Sequence, residues 1–284
     1  MASKPNAPAC PECEGDGHMN PAVERARIQK ALRDCPTPIL QPEECIKQAL
    51  QDHKFNVAVG WSGGKCSTAV LHMALKIKSD ISVIFNDTGV EFPETYAFIK
   101  KISQEWHLNL EILKPKTTFW TCVKEYGFPL LRGQYKDDSK SKDGRPMCCQ
   151  LLKEQPILDR GIIAMITGLR ASESRMRMFA IAQRGQFYHA KTLKRWNYHP
   201  IAFWTEREVW DYHNRNQIPH NGIYDKGHDR CGCWPCTGYL GWRQSLARSH
   251  PNMYRHLMKA KGEPTLWEYF DQEGCFQTSR VEGE

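Results

Sequence analysis

The sequence predicts an α/β fold: a doubly wound parallel sheet, with a small cysteine-bearing extension before it and a helical segment after it. Three observations predict this. Short apolar runs at Phe55 to Val59, Ile81 to Phe85 and Ile162 to Thr167 read as buried strands, and Leu108 to Leu113 reads as a further strand. Helical patterns of ten or more residues separate successive runs, which implies parallel strands with helices on both faces. Several of these strands stop at a cluster of glycine, hydroxyl and charged residues. In such sheets ligands bind at the carboxyl ends of the strands. The expected organisation is an extension over 1–45, the α/β domain over 46–240 and a C-terminal helical segment over 241–284.

In the extension, Cys10-Pro-Glu-Cys13 with Gly15 and Gly17 is a knuckle whose two thiolates suit one tetrahedral zinc. Cys35, Cys45 and His18 are the local candidates for further ligands. Asn20 to Leu32 reads as a helix, with Asn20 as its cap and Pro21 at its first position. Pro36, Pro38 and Pro42 punctuate a linker. Glu43 to Gln51 is a helix leading into the first strand of the sheet.

That strand ends in Ser62-Gly63-Gly64-Lys65-Cys66-Ser67-Thr68, followed by a helical pattern through Ala69, Val70, Leu71, Met73, Ala74 and Leu75. A strand, a glycine turn and a helix N-terminus make an anion site, because glycine lets a phosphate approach backbone N–H groups that no carbonyl satisfies. The spacing of a Walker loop is absent. The second strand ends in Asn86-Asp87-Thr88-Gly89, then a helix runs through Trp106. Gly127 to Met147 is polar and reads as a surface loop. Cys148-Cys149 opens a helix over Gln150 to Leu158. The fourth strand ends at Gly168-Leu169-Arg170, with Ser174 and Arg175 just beyond; arginine is well shaped for bidentate phosphate or sulfate contacts. Thr205 and Glu208 form a capping box ahead of a helix carrying Val209, Trp210 and Tyr212. Cys231, Cys233 and Cys236 follow, then an aromatic helical tail with Trp267, Tyr269, Phe270 and Cys275.

Composition narrows the function classes. The chain has 284 residues, 40% apolar and 25% charged, as a globular protein has. No run of about 18 apolar residues predicts a membrane span, and the N-terminus has no apolar signal core. Twelve cysteines in such a chain point to metal ligands or reactive thiols in a reducing cytoplasm, not to disulfides. The net charge is +7, and Arg170 to Pro200 alone carries +6. An anionic ligand or a nucleic acid is expected there, with Tyr188, Trp196 and Tyr198 interleaved for stacking.

Taken together, Ser62-Gly-Gly-Lys65, Asn86-Asp-Thr-Gly89 with Phe92-Pro-Glu-Thr95, Gly168-Leu-Arg170 with Glu173-Ser-Arg175, and Trp204-Thr205 with Val209-Trp210 resemble the phosphoadenosine-phosphosulfate (PAPS) reductase family of the PP-loop superfamily. The resemblance covers about residues 46–240. It implies a Rossmann-like sheet, an adenine nucleotide ligand and sulfur chemistry, with Ser62, Gly63, Gly64, Lys65, Ser67, Thr68, Asp87, Thr88, Gly89, Gly168, Leu169 and Arg170 at the nucleotide and Arg170 and Arg175 at its sulfate or phosphate. One subset of the family pairs a tandem Cys-Cys with a later Cys-x-x-Cys. Cys148-Cys149 and Cys233-x-x-Cys236 match it, which implies a 4Fe-4S cluster; four thiolates also suit zinc. Cys231 either substitutes as a ligand or packs.

The chain departs from the family pattern twice. Cys66 stands where the loop usually has Asp. At a helix N-terminus beside Lys65 it is either a reactive thiol or a small filler. The family's C-terminal Glu-Cys-Gly is replaced by Glu273-Gly274-Cys275, so both Cys275 and Cys66 are candidate nucleophiles. Three functions follow. The first is an iron–sulfur reductase of adenylyl sulfate or PAPS, using a thiol or ferredoxin-type electron donor. The second is an ATP pyrophosphatase-type sulfurtransferase, with Mg and a tRNA or DNA substrate. The third is a cluster-bearing sensor without catalysis.

Overall fold

The computed structural model describes residues 20–54, 56–131, 134, 141–142 and 145–263. The N-terminal knuckle with Cys10, Cys13 and His18, and the tail with Trp267, Tyr269, Phe270 and Cys275, lie outside these residues.

Helices α1 (Pro21–Asp34) and α2 (Pro42–His53) precede strand β1 (Val57–Gly60). Then come α3 (Lys65–Ile77), β2 (Ser82–Asn86), α4 (Pro93–Glu105), β3 (Asn109–Leu113) and α5 (Phe119–Tyr126). A short hairpin of β4 (Ser141–Lys142) and β5 (Arg145–Pro146) leads into α6 (Met147–Cys149), which passes through a π-helical turn (Gln150–Glu154) into α7 (Gln155–Arg160). Next are β6 (Ala164–Thr167), α8 (Arg175–Arg184), β7 (Phe187–Ala190), β8 (Arg195–Tyr198), α9 (Glu206–Asn216), α10 (Trp242–Ser249) and α11 (Pro251–Lys261). The first helix is capped as its sequence predicts: the Ala22 N–H donates to Asn20 Oδ1 at 2.8 Å, with Pro21 opening the first turn. Thr205 and Glu208 form the expected capping box on α9.

The main sheet has six strands in the order β3-β2-β1-β6-β8-β7. All neighbours are parallel except the edge pair, where β7 runs antiparallel to β8. Strand residues alternate between two cores. Val57, Val59, Val83, Phe85, Ala164 and Ile166 face the cluster built from α2, α3, α4 and α9. Ala58, Ile84 and Met165 face the opposite way and meet Ile157 of α7. That period of two, buried on both faces, is why these strands read as unbroken apolar runs.

The β7–β8 hairpin departs from the sequence reading of this region as a basic stretch with stacking aromatics. Tyr198 is fully buried and stacks on Phe187 at 5.6 Å, and Trp196 packs against the main core. Tyr198 therefore holds the sheet edge together and is not exposed for stacking, while Tyr188 and Trp196 are half-buried. Arg195 is also buried and donates to Asn197.

Helix α1 is joined to the sheet layer. Its Ala31 packs with Ala171, Met178, Ile181 and Ala202 around α8. At the other end, Tyr254, Leu257 and Met258 of α11 and Leu246 of α10 pack on Phe92 and Ile223. Among the described residues no helix is long and apolar enough to cross a membrane.

Candidate functional site

The turn after β1 is held by its own side chains. Ser62 and Ser67 hydroxyls lie 3.1 Å apart, Ser67 Oγ donates to the Gly64 carbonyl at 3.0 Å, and Gly63 takes a φ of +72° that favours glycine. Helix α3 begins at Lys65, so its first N–H groups point into the space above the turn. Gly168, at the end of β6, touches this turn so closely that a Cβ would sit 2.6 Å from the backbone of Cys66 and Ser67. Two strand ends are thereby locked side by side.

Between them opens a chamber of about 680 Å³. Its walls include Ser62, Gly64, Lys65, Cys66 and Ser67 of the turn, Gly168, Leu169 and Arg170 of the β6 end, and Arg177, Arg230 and Cys231. Lys65 is buried; its Nζ donates to the Asp229 carbonyl at 2.6 Å, pairs with Glu206 at 3.1 Å and lies over the Tyr224 ring at 4.8 Å. The Tyr224 hydroxyl accepts the Lys65 backbone N–H at 2.9 Å, and the Lys65 carbonyl meets His213 Nε2 at 2.8 Å. Arg170, 3% exposed, is turned toward α1: its Nη1 donates to Glu24 Oε1 at 3.2 Å, Ser172 Oγ at 3.0 Å and the Trp204 carbonyl at 3.3 Å. Its buried Nε has no hydrogen-bond partner. The same Glu24 oxygen accepts the first N–H of α9 from Glu206 at 2.8 Å. The chamber is therefore an anion cradle: cations and helix N–H groups line it, while Glu173, Glu206 and Asp229 fix the cations in place.

A second cavity, about 60 Å³, adjoins it. Cys148, Cys149, Cys233 and Cys236 all line this one space, with Lys153 and Arg230 on its wall. Cys148 and Cys149 start a helix, and Cys233 pairs across an isolated bridge with Glu91. Thr88 connects the β2 end to the thiols: its hydroxyl donates to Glu91 at 2.8 Å and lies 3.5 Å from Cys233 Sγ. Burial pushes the Cys233 thiol up to about 11 and also raises Cys236. Cys149 is pushed below the usual thiol range by the hydrogen bond from Cys148, helped by the charge of Lys153. Among the described residues no three Cys, His, Asp or Glu side chains are gathered tightly enough to share one metal ion. A single zinc requires all its sulfurs at about 2.3 Å from one point. A cluster spreads four thiolates over separate irons, so four soft donors around one cavity, flanked by two cations, fit a cluster better.

The structure distributes the sequence-predicted residues over both spaces. Ser62, Gly64, Lys65, Cys66, Ser67, Gly168, Leu169 and Arg170 line the larger chamber. Gly63 supports it from below, its carbonyl accepting Asn221 Nδ2 at 3.3 Å. Thr68 is buried and accepts the Trp61 Nε1–H at 3.0 Å. Asp87, Thr88 and Gly89 do not line the larger chamber: Asp87 accepts the Gly89 N–H and the Tyr96 hydroxyl, and Thr88 serves the cysteines. Arg175 is exposed at the start of α8, and Arg177, one half-turn on, lines the chamber instead. Glu24, Arg177, Tyr224 and Arg230 went unassigned in the sequence. Arg230 lines both spaces, Cys231 the larger and Cys233 the smaller, a division that the spacing of the run Arg230-Cys-Gly-Cys233 does not signal.

Comparison with known proteins agrees with this architecture. The family model of the phosphoadenosine phosphosulfate reductase domain matches residues 56–239. An uncharacterized protein of Methanocaldococcus jannaschii is 31% identical over 80% of the chain, and the chain spans 45% of that relative's length. An adenosine 5'-phosphosulfate reductase of Staphylococcus epidermidis is 29% identical over 68% of the chain and 75% of its own. The crystal structure of a phosphoadenylyl-sulfate reductase from Candida auris, a phosphate complex, superimposes with a TM-score of 0.52 at 21% identity, covering 78% of this chain and 98% of that one. The sheet, the Ser62 turn and the extent of the match place the chain in the phosphoadenosine phosphosulfate reductase family of the PP-loop superfamily.

Proposed function

We propose that the protein is an iron–sulfur reductase of an adenylylated sulfate, adenylyl sulfate or PAPS, working in the cytoplasm with an external thiol as electron donor. The observation that carries this reading is the adjacency of two chambers: an anion cradle and a four-cysteine cavity, with Arg230 on the wall of both. Cys148, Cys149, Cys233 and Cys236 would hold a 4Fe-4S cluster. When bound there, it supplies electrostatic stabilisation to an anionic group in the neighbouring chamber.

The chain's own residues do the rest. The N–H groups at the start of α3, with Ser62 and Ser67, hold the nucleotide's phosphate. Lys65, Arg177 and Arg230 offset the charge of the phosphate and the sulfate. Arg170, fixed by Glu24, sets the wall against which the sulfate lies. Cys66, in the first turn of α3, lines the chamber and acts as the nucleophile toward the sulfur. Cys275, the other candidate nucleophile, lies outside the described residues.

The test is product analysis under anaerobic conditions. Cluster-loaded protein is incubated in parallel with adenylyl sulfate, PAPS and ATP in the presence of a dithiol. Sulfite together with AMP or adenosine bisphosphate is the expected outcome. Pyrophosphate from ATP with no sulfite from either sulfonucleotide would overturn the reading in favour of an ATP-dependent sulfurtransferase.

A further inference from the structure

We propose that Cys231 is the resolving partner of Cys66, so that the two form a dithiol pair across the nucleotide chamber. This rests on the reductase reading and names the residue that releases the product. Both cysteines line the larger chamber. Cys66 is the second residue of α3, and Cys231 packs against the turn that starts it. The Cβ of Cys231 lies 3.7 Å from where a Cβ on Gly64 would stand, two residues before Cys66.

Cys231 is not one of the four cysteines of the smaller cavity. Gly232, Cys233 and Cys236 line that space and Cys231 does not. Its sulfur is held against the anion-binding turn instead. Asn221 Nδ2 approaches it at 3.4 Å, the Gly63 carbonyl at 3.6 Å and the Tyr224 hydroxyl at 3.5 Å. Asn221 is itself buried, and its amide also reaches the Gly63 carbonyl and Thr95 Oγ1. The segment carrying Cys231 has no regular secondary structure and lies between Gly227, at φ +78°, and Gly232. A disulfide between the two would bring their Cα atoms to about 4.4–6.8 Å.

The chemistry balances within the chamber. The Cys66 thiolate attacks the sulfur of the sulfonucleotide. The bond from sulfur to the phosphate oxygen breaks, its electron pair leaves on the nucleotide phosphate, and the Cys66 proton ends there. Cys66 now carries an S-sulfonate. Cys231 then attacks Cys66 Sγ. The bond from Sγ to the sulfonate breaks, and sulfite departs with the electron pair and the Cys231 proton. Two thiols have been oxidised to one disulfide, and sulfur has been reduced from the level of sulfate to that of sulfite. An external dithiol, supplied by the electron donor already proposed, reopens the Cys66–Cys231 bond by exchange.

A single-turnover experiment tests this. The full-length, cluster-loaded chain is mixed anaerobically with radiosulfur-labelled adenylyl sulfate, and separately with labelled PAPS, without added reductant. The expected result is one sulfite per chain, loss of two free thiols and a Cys66–Cys231 bridged peptide in the mass spectrum. In Cys231→Ser the label should remain on Cys66, with sulfite release slowed at least about tenfold until external dithiol is added. Label on Cys275, or sulfite from the wild-type chain with Cys66 and Cys231 both still reduced, overturns this inference and leaves the reductase reading standing. No nucleotide product from either sulfonucleotide, even with dithiol present, overturns both. The bridged-peptide measurement uses the wild-type chain, so it holds even if the serine variant folds poorly.

Discussion

Replacing Gly168 with alanine is the sharpest test of how the anion cradle is built. The new methyl carbon would stand 2.6 Å from Cys66 C and Ser67 N and 2.7 Å from Cys66 O. All three are backbone atoms, so no side chain can rotate away. To recover an ordinary contact of 3.4 Å, the β6 end and the start of α3 must separate by about 0.8 Å. Overpacking of this kind costs about 1–3 kcal/mol, and three backbone clashes put Gly168→Ala near the upper end. In a chain of this size that lowers the melting temperature by very roughly 2–4 °C per kcal/mol. The functional loss should be larger, because the displaced atoms carry the N–H groups proposed above to hold the phosphate; a misplacement of about 1 Å can cost on the order of a hundredfold in turnover. Thermal melting and sulfonucleotide turnover are measured side by side. Gly222→Ala is the control: its nearest neighbour would be 3.8 Å away and its φ is not in the left-handed region. It should be neutral or slightly stabilising. If Gly168→Ala melts within about 1 °C of wild type and turns over normally, then the close approach described here does not exist in solution.

Two further perturbations follow from buried charges. Glu24→Ala leaves the Arg170 guanidinium buried without its counter-ion and uncaps the first N–H of α9. A loss of about 3–5 kcal/mol is expected in urea unfolding, and an unchanged midpoint would refute the pairing. Acid should destabilise the fold through two histidines whose folded pKa values lie below the unfolded value near 6.5. His199 is pushed down to about 3 by burial and then by the charges of Arg177 and Arg195, and His72 to about 4 by burial and then by Lys76. As pH falls below about 6.5 the unfolded chain takes up these protons first, so each histidine removes up to about 1.4 kcal/mol of stability per pH unit until its folded pKa is reached. Unfolding midpoints from pH 7 to pH 4 check this; His199→Gln should flatten the slope, and a slope that does not change would count against it.

The parts of the fold that were legible are those where local chemistry and the global plan agree. β1, β2 and β6 announced themselves because a strand covered on both faces is apolar throughout; β3, at the sheet edge with Asn109 and Ile112 exposed, was legible from its alternation. Ser62 to Ser67 stood out because two glycines and a lysine lie between a strand and a helix. Asn20, Pro21, Thr205 and Glu208 cap helices with bonds that span three residues or fewer, so spacing alone finds them. The β7–β8 pair was missed because its lysines, Lys191 and Lys194, sit in the turn and Tyr198 faces inward; charge counted along the chain does not say which side a ring takes. The direction of Arg170 was likewise invisible. Its partner, Glu24, is 146 residues away, and only the docking of α1 brings the two together. Thr88 looked like a nucleotide contact by its place at a strand end, yet the fold assigns it to the thiols through Glu91 and Cys233.

Helix α1 lies wholly before residue 56, where the match to the family model begins. Yet one of its carboxylates neutralises an arginine of the β6 end, and Arg27 donates to the Ser172 carbonyl at 2.8 Å. A fragment trimmed to the family boundaries would expose the greasy flank of α8 and strand a cation in the interior. Anyone designing a shorter version for crystals or assays should begin no later than Asn20.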